Sequence, residues 1–194
     1  MIMTIKRTHF TFPIPKNLNE VARVPLLRQE CAVKIRQLWL DQFNSRQDVV
    51  VGTMARHEYL SFTANTIACP IFLVPLFKPG GSAYFNLVSQ FQDGKHCLLT
   101  GLDAFRLDPT SAAPMMVSTI YDELISEKEI ALVRGDIINR LEISRDDAQR
   151  ILKFIRHFYI NKFDIVRKFN LDARNFDYED FMKLARDFYA TCSP

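Results

Sequence analysis

His96 and Cys97 stand side by side in this sequence, and an imidazole beside a thiol is the pairing a cysteine nucleophile needs, with His57 as a more distant base. Adjacency works against the pair. Neighbours on an extended chain point to opposite faces, so two consecutive strand residues cannot readily share a proton. A free cysteine in an apolar run such as Cys97-Leu98-Leu99 is expected as a small buried hydrophobe. A metal site would have to gather His9, His57, His96, His157 and the cysteines, yet none of the C-x-x-C, H-x-x-x-H or H-E-x-x-H spacings occurs. Gly80-Gly81-Ser82 and Asp93-Gly94-Lys95 lack the phosphate-loop pattern and precede strands, where they read as turns. The expectation is a protein with no catalytic residue, no metal ligand and no cofactor.

Aromatic residues are the other candidates. Sixteen Phe, six Tyr and one Trp make 12% of the chain, and rings of this size must be buried in a core or against a partner. Tyr84, Phe85 and Phe91 could act as stacking platforms for RNA. The basic support of such a site is missing, because Pro79-Gly80-Gly81-Ser82 stands where a Lys or Arg beside Gly would open the motif. The 25 basic and 22 acidic residues leave a net charge of only +3, without clustering, which speaks against a nucleic-acid or anionic-membrane surface.

These residues are carried by a legible order of elements. Leu27, Cys31, Ile35, Leu38 and Trp39 recur at three and four, predicting a helix from Pro25 to about Phe43 with proline in its first turn. Val49-Val50-Val51 reads as a short strand and Ala55 to about Ile67 as a second helix. Ile71 to Phe77 and Tyr84 to Gln92 are predicted strands around a Pro79-Gly80-Gly81 turn; Pro75 cannot donate to a ladder, so its strand belongs at an edge or carries a bulge. Asp93-Gly94 is a type I′ hairpin signal leading into His96 to Thr100. Met115 to Tyr121 and Ile130 to Arg134 are two further strands across the charged turn from Asp122 to Glu129. Ser144 with Asp146 and Asp147 caps a helix whose apolar stripe is Ala148, Ile151, Leu152, Ile155, Phe158 and Tyr159, and a last helix starts near Asp177 with Phe181, Leu184, Ala185 and Phe188 on one face. The prediction is an α+β fold with a mostly antiparallel sheet of about six strands, because short hairpin connections leave no room for parallel crossovers.

With 194 residues, 48% apolar and 24% charged, the chain fits one ordinary domain. It divides into an N-terminal extension, 1–24, and a domain over 25–194. Lys6, Arg7 and Lys16 without an acidic residue before Glu20 give the extension the charge bias of a presequence remnant, although Pro13 and Pro15 interrupt any helix there. Cysteines at 31, 69, 97 and 192 are too far apart for a small disulfide framework and suit a reducing compartment. No apolar run reaches the ~20 residues that span a bilayer, and a monomer is expected.

The stretch from Phe72 to Gly135 resembles the mitochondrial ATP synthase assembly factor 1 family, chaperones of the F(1) ATPase β subunit. Phe72 with Val74-Pro75-Leu76 is similar to that family's F-x-x-P-[LI] strand, and Phe85 followed by Ser89-Gln90-Phe91-Gln92 to its aromatic strand ending in Q-[FW]. His96, Thr100, Leu102, Ala113-Pro114, Tyr121 and Leu124 follow in similar register. Lys128-Glu129-Ile130-Ala131-Leu132-Val133 is similar to its K-G-I-V-L-M segment, with Glu129 standing where the family usually carries glycine. Asp147-Ala148-Gln149, Phe158-Tyr159, Phe169-Asn170-Leu171, Phe176 and Tyr178 are similar to its helical region.

The resemblance implies a non-enzymatic chaperone of the mitochondrial matrix that holds free β subunit until the α subunit replaces it, with no cofactor, nucleic acid or membrane insertion. An unassembled subunit exposes the apolar surface of an obligate interface, which aggregates unless something covers it. Phe72, Val74, Pro75, Phe85, Leu87 and Phe91 lie in the richest aromatic and aliphatic region and are the expected partner-binding residues. If the terminal helices cover one sheet face, the other face or the Pro75 edge would remain for apolar contact or strand addition, with some of these side chains exposed in the free protein.

Overall fold

The computed structural model describes residues 15–78 and 84–191; the Pro79-Gly80-Gly81 turn and most of the N-terminal extension lie outside them. Six strands form one sheet: β1 (Val49–Ala55), β2 (Ile71–Phe77), β3 (Tyr84–Gln92), β4 (His96–Gly101), β5 (Pro114–Tyr121) and β6 (Ile130–Ile137). Every neighbouring pair is antiparallel, in the order β1-β6-β5-β4-β3-β2. The α+β expectation holds. The β3–β4 hairpin turns as its sequence requires, with Asp93 and Gly94 at φ 49° and 69° and the Lys95 N–H donating to the Gln92 carbonyl at 3.0 Å. A Cβ on Gly94 would stand 2.8 Å from Thr63 Cγ2, so glycine also lets the turn lie against the helix that carries Thr63.

That helix, α4 (Arg56–Ala68), leaves β1 at one edge of the sheet and delivers the chain to β2 at the other. Pro75 therefore sits on an edge strand, as its missing donor demands. Asn170 closes part of this edge: its side chain accepts from the Ile71 N–H at 3.3 Å and donates to the Ile71 carbonyl at 2.6 Å.

Each sheet face has its own cover. On one lie α4, α7 (Arg145–Asn161), α8 (Phe163–Leu171) and α9 (Tyr178–Thr191), with Phe154, Phe158, Tyr159 and Phe181 packed against Phe72, Val74, Leu76, Leu87, Leu99 and Met116. The start of α7 is fixed by the foreseen cap: Ser144 Oγ accepts from the Asp147 N–H at 3.1 Å, and Asp147 Oδ2 accepts from the Ser144 N–H at 3.2 Å. On the other face α1 (Leu18–Val21), α2 (Val24–Leu27) and α3 (Ala32–Phe43) cover the β1–β6 end, where Leu18, Ile35, Trp39 and Phe43 meet Val49, Val51, Tyr121 and Leu132. Trp39 Nε1 donates to the Val133 carbonyl at 3.1 Å.

Three local expectations are corrected. The single helix from Pro25 to Phe43 is two, because Cys31 adopts an extended backbone (φ −77°, ψ 160°) as the N-cap of α3. The break lets Leu27 and Ile35 turn into one cluster. Short helices α5 (Leu102–Leu107) and α6 (Ile125–Lys128) occupy segments read as connections, since four to six residues are too few to display a 3.6-residue period. β6 runs on to Ile137, three residues past its expected end.

Candidate protein-binding surface

The six expected contact residues fall into three situations. Phe72, Val74 and Leu87 are fully buried on the face covered by the C-terminal helices. Phe72 sits inside a ring cluster, 5.4 to 6.5 Å from Phe154, Phe158, Tyr159, Phe169 and Phe181. Pro75 points to the opposite face and is also buried. Phe85 and Phe91 are half-buried: Lys78 Nζ lies 5.1 Å from the Phe85 ring centroid, and Phe91 meets Phe62 and Tyr159 edge-on.

The expected exposure is thus corrected for Phe72, Val74 and Leu87. Aromatic residues of the C-terminal helices reach the sheet and seal the face that these three share. The opposite face is no more open, because Leu73, Val88, Leu98 and Val117 are buried as well.

The chemistry-bearing residues are dispersed. Cys97 is buried on the C-terminal helix side, paired across the ladder with Phe91 and Ser118, and burial pushes its thiol far up, away from the thiolate a nucleophile needs. His96, its neighbour, belongs to the other face, and burial lowers its imidazole. Tyr84 and Phe85 likewise point to opposite faces, so they do not form a continuous stacking platform with Phe91. Among the described residues no three His, Cys, Asp or Glu side chains gather as a metal site, and no helix is long and apolar enough to cross a membrane.

What the surface does offer comes from elements whose contact role the sequence did not advertise. On α4 the outward residues Leu60, Ala64 and Ile67 are all exposed, so this helix is apolar towards solvent as well as towards the sheet, where Tyr59 and Phe62 are buried. An apolar outer stripe on a helix is a mark of an interaction surface. A second apolar depression lies between α1–α2 and α3, lined by Val21, Ala22, Pro25, Leu26 and Leu38.

A third feature is a cleft between the sheet, α4 and α7, of about 550 Å³ with its open mouth included. Its floor is Gly52, Cys97, Ser118, Ile120 and Val133, its walls include Phe62 and Phe91, and Gln149, Lys153 and Arg156 overhang it from α7. Arg156 pairs with Glu58 of α4 and reaches the Thr53 carbonyl at 3.4 Å. Burial alone would raise the Glu58 carboxyl, but Arg156 and the Ala55 N–H hold it below the usual range. Of the expected contact residues, only Phe91 lines this cleft. Gly52 was missed because the β-branched signal ends at Val51, whereas β1 runs on to Ala55.

Three similarities to known proteins accompany this geometry. The family described as ATP11 protein matches residues 6–182. The Mus musculus protein named ATP synthase mitochondrial F1 complex assembly factor 1 is 26% identical over 171 residues, 86% of this chain and 51% of the relative. The Homo sapiens protein of the same name is 25% identical over the same shares. The chain thus spans about half the length of the curated relatives it matches.

Proposed function

Since this chain belongs to the ATP11 protein family, we propose that it is a mitochondrial assembly factor for the F1 part of ATP synthase, which binds the unassembled β subunit in the matrix and shields its interface until the α subunit replaces it. The observation that carries this reading is the extent of the family match, residues 6–182, which takes in the whole sheet, the helices through α8 and the first turn of α9.

The geometry supports a binding role over a chemical one. Apolar side chains remain on the outside of α4 and beside α2, where a partner's apolar interface can cover them. The histidine and thiol that could have formed a catalytic pair lie on opposite sheet faces. Within the expected contact set, Phe85 and Phe91 retain surface to offer, while Phe72, Val74, Pro75 and Leu87 act by holding the sheet on which that surface is built. Exchange needs no nucleotide hydrolysis, because a larger α–β interface displaces a smaller one by mass action.

The test is capture of separately expressed F1 subunits. Retention of the β subunit, no retention of α, and release of β on adding α are the expected results. Failure to retain β under conditions where it remains soluble and unassembled would overturn the reading.

A further inference from the structure

Two glycines on the same sheet face differ in what surrounds them. Gly135 is filled in by its neighbours: a Cβ there would stand 2.3 Å from Met116 Cε and 2.9 Å from Val50 Cγ2, so glycine is what leaves room for these two side chains of the adjoining strands. Gly52, one strand over and opposite Val133, has no atom within 4 Å of an added Cβ. It has no positive φ to satisfy either. Glycine weakens a strand interior, and where packing does not require it, it marks close approach by something else. The space above Gly52 is the floor of the cleft described above.

The lining sets the chemistry of an occupant. Ser118 and Cys97 are the polar side chains on a floor otherwise made by Gly52, Ile120 and Val133, and the neutral thiol of Cys97 carries no charge to match. The interior therefore suits an apolar group. At the mouth, Gln149, Lys153 and Arg156 follow one another at four and three residues along α7 and so overhang the opening together. Arg156 is neutralised by Glu58, whereas Lys153 is exposed and has no ionic partner among the described residues. An uncompensated ammonium above an apolar hole selects an apolar group next to a carboxylate.

We propose that the cleft over Gly52 is an anchor socket for a protein segment, taking one large apolar side chain of the partner while Lys153 pairs with an acidic residue beside it. This rests on the assembly-factor reading, with the unassembled β subunit as the partner. The cleft is open at one side and the room inside it, about 70 Å³, suits a single anchoring side chain, and the positive mouth supplies the complementarity that fixes orientation.

Gly52→Val tests it without threatening the fold, because the new side chain enters empty space in a strand that favours β-branching. The melting temperature should stay the same or rise, while affinity for the β subunit falls at least tenfold. Lys153→Glu should weaken binding several-fold and Lys153→Arg should restore it. A second measurement is independent of the F1 subunits: adding acetyl-Leu-Asp-amide to labelled protein should shift the Gly52 and Thr53 amide resonances, and in the Gly52→Val variant the Thr53 resonance should stay in place. If β binding is present but unchanged by Gly52→Val, the socket is wrong and the assembly role stands. If β fails to bind but the peptide shifts those resonances, the socket stands and the assembly role fails. An unperturbed spectrum, a purified protein carrying a fatty acid in the cleft, or a Gly52→Val variant that changes only self-association would each overturn the proposal.

Discussion

Glu129 is the non-glycine residue, besides Asp93 of the hairpin, that takes a positive φ among the described positions, at 55° as the C-cap of α6. Left-handed backbone costs an L-residue about 1–2 kcal/mol that glycine does not incur. The conformation is held by hydrogen bonds on both sides of the residue: the Glu129 N–H donates to the Ile125 carbonyl and its own carbonyl accepts from the Arg56 N–H. Glu129→Gly is therefore expected to stabilise the protein by about 1 kcal/mol in urea unfolding, and a destabilised variant would show that the glutamate has an offsetting contact. Residue-scale chemistry was legible in part. Cys97 and His96 were correctly set on opposite faces by strand alternation. Phe72 and Leu87 were not recognised as buried, because a Phe looks the same in sequence whether a helix or a partner covers it. Phe72→Ala should cost about 3–5 kcal/mol of stability and leave the binding of the folded fraction unchanged.

Elements with an internal period or a turn signature were the readable ones. The hairpin at Asp93-Gly94, the cap at Ser144 and all six strands follow from local chemistry, whereas the break at Cys31 and the short turns of α5 and α6 depend on tertiary contacts that no window of sequence contains. The N-terminus of α7 gives a prediction with a definite sign. Burial would raise the Asp147 carboxyl, but the hydrogen bonds from Ser144 and the nearby Lys78 ammonium hold it below the ordinary carboxylate range, with Lys78 Nζ 3.2 Å away. Asp122 behaves likewise: burial opposes it, and Lys95 and Tyr59 hold it low. A carboxyl depressed in the folded state stabilises above its unfolded pKa, and that contribution disappears as pH falls through the folded value. Stability measured by urea titration should decline on acidification below the normal carboxylate pKa, and Asp147→Asn should flatten the decline. Ser144→Ala should cost about 0.5–2 kcal/mol.

At the scale of the whole molecule, the two covered faces explain why the binding surface was the least legible feature. Alternation along Tyr84 to Gln92 shows that a strand has two faces but not what lies above each, and both proved to be packed. The remaining apolar surface lies on α4, beside α2 and in the cleft over Gly52, places defined by how elements meet. Contacts of that kind respond weakly to salt, unlike phosphate contacts that lose affinity as counterions compete. Capture of the partner should persist from about 0.1 to 0.5 M salt with only the modest loss expected of one screened pair at Lys153. A collapse over that range would point to a charged ligand instead.

The pairing of β1 with β6 has a consequence in time. Val49 finds its ladder partner in Asp136 and Ala55 in Ile130, so the first strand stays unmatched until nearly the last one exists. Contacts this distant in the chain demand loop closure before they yield any stabilisation, and sheets built on them fold over about milliseconds to seconds. A nascent or translocating chain ending before residue 130 carries Val49-Val50-Val51 as an unpaired strand, and that interval is when the molecule itself most needs protection from aggregation.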